Sequence, residues 1–191
     1  MRVVVKVGGS LLADGPRLRA VLASLADGAE GPSVIVPGGG PDADAVRHAQ
    51  QVEGFSDAEA HRRALDAMGR TATRFQAIEP RLVLARAPWD AAPGGTALVW
   101  DPAPLREGHP DIPETWDVTS DSLALWLATR MGAPSCLVVK SADAPPGCDA
   151  EALARLGLVD AAFPAFARSF RGTIAVRGPG GTVPVLSRRA A

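Results

Sequence analysis

"VVVKVGGSLL", residues 3–12, combines two features that seldom sit together. Its β-branched run reads as a buried strand. That strand stops at Lys6, one valine, the pair Gly8-Gly9 and Ser10. Glycines leave backbone N–H groups uncovered and let a ligand approach the main chain, so a cation beside them is suited to an anion such as phosphate. The pattern recurs at "CLVVK", residues 136–140, where a second apolar run ends in Lys140. Of the 20 basic residues 18 are arginine, and the only lysines are these two.

Outward from this stretch, strand-like and helix-like segments alternate. Residues 2–7 form a strand, 16–27 a helix with Pro16 in its first turn, and 33–37 ("SVIVP") a second strand, which completes a βαβ unit. Helical spacing follows at 42–53 and 57–75, each opening with an aspartate suited to a helix N-terminus. Strands are expected at 81–85 and 96–100, a helix at 120–132, and a strand at 136–140. The tail offers short helices around 150–156 and 160–170 and two β-rich pieces, "TIAV" and "VPVL", around the turn "RGPGG". The Pro-rich stretch 101–114 reads as a surface loop. The expected class is an α/β three-layer α/β/α sandwich with a largely parallel central sheet, in one domain over 1–191.

Composition narrows the function classes. A net charge of −1, 5% aromatics and no tyrosine give neither a basic footprint nor a stacking platform, so nucleic acid is not an expected partner. Apolar runs fall short of the roughly 20 residues needed to cross a bilayer, and no membrane association is expected. Cys136 and Cys148 lie outside any CxxC or zinc-ligand spacing, and the start lacks a secretory pattern. A reduced, cytoplasmic protein with no protein-bound metal centre is the expectation.

In a parallel sheet, ligands bind beyond the carboxyl ends of the strands. There the sequence places Lys6-Val7-Gly8-Gly9-Ser10, then Gly38-Gly39-Gly40, then Thr119-Ser120-Asp121-Ser122 at a helix start, then Lys140-Ser141. Two glycine turns and two lysines make an anion site, and Asp121 is placed to hold both ammonium groups and to take a magnesium or hydrogen-bonding role. Taken singly, each piece has a plainer reading: a tight turn, an N-cap, a solvated strand end. GxxxxGK[ST] is absent. Gly38-Gly39-Gly40-Pro41-Asp42-Ala43 fits only the relaxed dinucleotide form GxGxxA.

"VVVKVGGSLL", "VIVPGGGPDADAVR", "DVTSDSLALWLA" and "LVVKSADA" together resemble the amino acid kinase family. The resemblance implies an ATP- and magnesium-dependent phosphotransferase, with an acceptor-binding half over 1–115 and a nucleotide-binding half over 116–191. It implies that Lys6, Asp121 and Lys140 are catalytic, that Gly8, Gly9, Ser10, Ser120, Ser141 and Asp143 serve the nucleotide, and that Gly38, Gly39, Gly40, Arg47 and His61 serve the acceptor. Arg47 also reads as a solvated helix residue, and His61 as helix-interface packing. Within the family, the short chain, "PGGGPDADAVR" and "GLVDAAFPAFA" are similar to the group that phosphorylates [5-(aminomethyl)furan-3-yl]methyl phosphate on the way to methanofuran-type carriers. The chain departs from the family pattern at "KSADAPPGCD", where many members carry threonine-aspartate-valine-aspartate-glycine.

The resemblance also favours a homo-oligomer, dimer or higher. Ala60, Ala64, Leu65 and Met68 fall at helical spacing suited to core or to a dimer seam. Two further readings remain: a non-catalytic nucleotide or oxyanion binder on the same fold, and a dinucleotide-dependent oxidoreductase resting on GxGxxA alone. If the chain is a kinase, its partner is a small-molecule phosphate acceptor such as a phosphomonoester, a carboxylate, a carbamate or a nucleoside monophosphate.

Overall fold

The computed structural model describes residues 1–90 and 97–186. The chain builds β1 (Val3–Val7), α1 (Gly15–Ala26), β2 (Ser33–Pro37), α2 (Gly40–Glu53), α3 (Asp57–Ile78), β3 (Val83–Ala85) and β4 (Leu98–Trp100). Then follow α4 (Ser120–Met131), β5 (Ser135–Val139), α5 (Ala150–Arg155), α6 (Phe163–Ser169), β6 (Thr173–Gly178) and β7 (Gly181–Pro184). Thr96, the first residue of the fourth expected strand, lies outside the described residues.

The seven strands form one sheet in the order β3-β4-β2-β1-β5-β6-β7, parallel throughout except for β7, which returns antiparallel on β6. β1 lies between β2 and β5, so the chain winds outward on one side of β1 and later resumes on its other side. Such a switch point leaves a crevice beyond the strand ends.

Strand residues alternate between two apolar layers, as a sheet covered on both faces requires. Val4, Val34, Val36, Cys136, Val138 and Val176 face a core shared with Leu123, Leu127, Leu153 and Phe163 of the later helices. Val5, Val7, Ile35, Val99, Leu137 and Val139 face a second core with Leu18, Leu22 and Leu25 of α1 and with Phe75 of α3. These are the two outer layers of the expected sandwich.

Three local expectations change. α2 begins at Gly40 with Gly39 as its cap, and Asp42 in its first turn is held by Arg70 and Arg74 of α3. α3 is capped by Ser56, which accepts from the Glu59 N–H, in place of Asp57. α6 starts at Phe163, because the preceding residues are drawn toward α4. The stretch 101–114 is anchored as well as exposed: it contains a 3₁₀ turn at Ala103–Glu107, and Leu105 and Ile112 are buried in the first core. Of the four residues read as core or dimer seam, Ala60, Leu65 and Met68 are buried in the core of the chain and Ala64 is half-buried.

Candidate active site

Val4 and Lys6 point to the α4 side of the sheet, since alternate residues share a face. Lys6 pairs in register with Val138, so Lys140, two residues further along, emerges on the same side just past the end of β5. Asp121, in the first turn of α4, stands over both. Lys6 Nζ lies 2.8 Å from Asp121 Oδ1, and Lys140 Nζ lies 2.8 Å from Oδ1 and 2.7 Å from Oδ2. Lys6 and Asp121 are buried, while Lys140 keeps 15% of its side chain exposed.

Burial alone would raise the Asp121 carboxyl, but the two ammonium groups outweigh it and hold the group below the usual carboxylate range. Lys140 moves the other way. Burial and the neighbouring Lys6 charge push its ammonium down to about 8, against the attraction of Asp121. With both lysines charged, two cations share one anion in a desolvated setting, and the surplus positive charge is matched to an incoming anion. Cys136 beneath them is pushed up to about 12 by burial and stays a neutral thiol.

Both glycine turns meet at this point. A 3₁₀ turn, Gly9–Ala13, follows β1, and Gly38 N–H donates to the Val7 carbonyl at 2.9 Å. A Cβ on Gly9 would collide with the Gly40 backbone, and one on Gly38 with Gly9 N. The glycines therefore serve backbone-on-backbone packing of the turns, in addition to any ligand.

The turns, the lysine pair and the first turns of α2 and α4 enclose a cavity of about 470 Å³. Lys6, Gly8, Gly9, Ser10, Gly38, Gly39, Gly40, Arg47, His61, Ser120, Asp121 and Lys140 all line it. In its lining the Arg47 guanidinium lies 4.4 Å from the Trp116 ring centroid. Trp116 Nε1 donates to Gln50 Oε1 at 2.6 Å, and Gln50 Nε2 donates to Asp57 Oδ1 at 2.8 Å, which braces this platform. His61 is buried, and desolvation lowers its pKa against a hydrogen bond with the Thr115 backbone, so it is neutral at pH 7.

Two predicted residues stand apart. Ser141 is outside the cavity lining, although Ser10 Oγ hydrogen-bonds its Oγ at 3.1 Å. Asp143 is committed to the β6–β7 hairpin, accepting from Gly180 N–H at 2.7 Å. Its carboxylate presses on Gly178, where a side chain has no room.

Sequence reasoning missed Asp160 and Trp116. Asp160 accepts from Thr119 and Ser122 at the start of α4. Its signal was an acidic residue closing the apolar "GLV", with nothing local to link it to residues 38 to 41 positions earlier.

Residues 1–91 match the amino acid kinase family. The match holds Lys6, both glycine turns, Arg47 and His61, and ends before Asp121 and Lys140. Solved structures with the same fold include uridylate kinase from Archaeoglobus fulgidus, at 18% identity and TM-score 0.61, covering 92% of this chain and 90% of that one. UMP kinase from Ureaplasma parvum aligns at 12% identity and TM-score 0.66, covering 98% and 99%. Aspartate kinase from Synechocystis aligns at 17% identity and TM-score 0.64, covering all of this chain and 41% of the longer enzyme. No curated protein sequence matches. The family match covers just under half of the chain, and the solved structures share its fold.

Proposed function

We propose that the protein is an ATP-dependent kinase of a small phosphomonoester, which it converts to a diphosphate, and that residues 116–191 receive the nucleotide while residues 1–115 receive the acceptor. The observation that carries this reading is the Lys6–Asp121–Lys140 cluster, with its spare positive charge, on the floor of a cavity between two glycine turns. The γ-phosphorus bond to the β,γ-bridging oxygen breaks, a bond to an acceptor phosphate oxygen forms, and ADP leaves. Negative charge spreads over the transferred oxygens, and donors fixed in a site of low polarity stabilise it.

The ionisation states favour an acceptor that is already an anion, a phosphate as much as a carboxylate or a carbamate, over a hydroxyl. Asp121 is tied to both lysines and held below the usual range, so it is a poor base. An acceptor phosphate arrives already ionised and has no proton to give up. Lys6 and Lys140 then hold the phosphoryl group, Gly8, Gly9 and Ser10 the nucleotide phosphates, and Gly38 to Gly40 with Arg47 the acceptor anion, since a guanidinium fork suits phosphate. Magnesium has no protein-made cage: both Asp121 oxygens are taken by ammonium groups, and no three acidic, histidine or cysteine side chains converge among the described residues. No step is assigned to it.

On the likeness to the furan-phosphate group, [5-(aminomethyl)furan-3-yl]methyl phosphate is the first acceptor to try. An ADP-release assay over this compound, uridylate, isopentenyl phosphate, acetylglutamate, aspartate and carbamate tests the reading. Turnover confined to phosphomonoesters supports it. Turnover only with carboxylates or carbamate overturns the acceptor class, and silence with every acceptor overturns the kinase.

A further inference from the structure

Asp160 is strongly engaged, and the proposed reaction leaves it without a task. Its carboxylate accepts from Thr119 N–H at 2.9 Å, from the Thr119 hydroxyl at 2.8 Å, from Ser122 N–H at 3.0 Å and from the Ser122 hydroxyl. Thr119 is the N-cap of α4 but makes no side-chain cap of its own. An aspartate from the distant segment before α6 therefore caps the helix, closing on both ends of its first turn. The same segment is fastened a second time, by Ala162 N–H donating to the Asp117 carbonyl at 2.9 Å. Between the clamped residues sits Asp121, bridging two lysines carried by β1 and β5.

We propose that Asp160 is a positioning residue for phosphoryl transfer: by gripping Thr119 and Ser122 it fixes the Asp121 carboxylate between Lys6 and Lys140. This rests on the kinase reading above. The sheet sets the positions of the lysines, so the carboxylate has little freedom to follow them if the first turn of α4 shifts. A misplacement of about 1 Å at a reacting centre can lower a rate by roughly a hundredfold.

The chain supplies a direct readout, because Lys6 and Lys140 are its only lysines. Protein labelled with ¹⁵Nζ-lysine gives two side-chain signals to titrate by NMR. The charged groups facing Lys140 are Lys6 from β1 and Asp121 from α4; Cys136 is neutral, and Arg17 of α1 bonds the Lys140 carbonyl at 2.7 Å. Attraction to Asp121 is what holds the Lys140 ammonium up against burial and Lys6.

Asp160→Ala is expected to move the Lys140 titration to lower pH and to reduce kcat about tenfold or more in a protein that is folded by circular dichroism. Asp160→Asn should recover most of both, since its amide oxygen still accepts from the two backbone N–H groups and its NH₂ can donate to the hydroxyls. An unmoved Lys140 titration in folded Asp160→Ala overturns the proposal. So does a shift in Asp160→Asn as large as in the alanine variant, which would make the effect one of charge alone. If Asp160→Ala does not fold, Ser122→Ala, which deletes one of the bonds, must show a smaller shift in the same direction, and no shift overturns the idea. A wild-type protein without kinase turnover would sink the kinase reading while the lysine titration still decides whether Asp160 positions Asp121.

Discussion

The backbone nitrogen of Gly40 occupies the space that a β-carbon on Gly9 would need. The turn after β1 and the turn after β2 thus touch main chain to main chain, and neither neighbour is a flexible side chain that could swing aside. Gly9→Ala is expected to destabilise the fold by about 1–3 kcal/mol or more, the range for overpacking a close contact. Gly8→Ala, whose new carbon would meet the Val139 carbonyl at 3.2 Å, should cost less. Thermal denaturation of the two variants checks the order, and equal midpoints would contradict it.

That contact marks what was legible in the sequence. The strand-ending lysines, the two glycine turns and the α4 aspartate could be placed on one sheet edge because each is a local pattern at the end of an apolar run. The reason for the glycines was only half visible, since packing between turns separated by about thirty residues leaves no local trace. Asp143 shows a contact that its place in the sequence does not announce. It follows Lys140 closely in sequence, yet the hairpin at Gly178–Gly180 claims its carboxylate. Asp160 and the Trp116–Gln50 brace under Arg47 were hidden for the same physical reason: a side-chain hydrogen bond across tens of residues has no periodicity to read.

Lys6 can be removed without leaving Asp121 uncompensated, because Lys140 still meets both of its oxygens. Lys6→Met should therefore unfold within about 1 kcal/mol of the wild type while kcat falls about 10²- to 10³-fold, as for loss of one preorganised donor. Asp121→Ala should do the reverse in stability. It strands the buried Lys6 and the half-buried Lys140 ammonium groups and is expected to cost about 3–5 kcal/mol, the range for breaking a buried ion pair. Denaturant titrations beside turnover measurements separate these outcomes, and a Lys6→Met protein with full turnover would remove Lys6 from the mechanism.

Activity and stability should respond oppositely to alkaline pH. The Lys140 ammonium lies at about 8 in the folded chain against an ordinary value of 10.5, because of burial and Lys6. Between those values the unfolded chain binds more protons, so the contribution of this group to stability rises with pH. Over the same interval the folded protein loses the charge that holds phosphate, and kcat/KM, which reports the free enzyme, should fall with a midpoint near pH 8. In Lys6→Met the repulsion from Lys6 disappears, and the midpoint of the residual activity should move to higher pH. A flat profile from pH 7 to 9.5 would show that the charge on Lys140 does not matter to turnover.

Arg47 and Trp116 test the acceptor end separately from the phosphoryl-transfer centre. The guanidinium rests on the indole face, and the indole is tied through Gln50 to Asp57 at the start of α3. Arg47→Ala removes the anion-binding fork and should raise the acceptor KM about tenfold or more, leaving the KM for ATP near its original value. Trp116→Phe keeps an aromatic face but loses the Nε1 bond to Gln50. It should raise the acceptor KM severalfold, less than Arg47→Ala, because the ring still supports the guanidinium while its orientation is no longer fixed. The double variant should be no worse than Arg47→Ala alone if Trp116 acts only through Arg47. Additive losses would instead mean that the indole touches the acceptor itself, as a stacking wall for a flat ring.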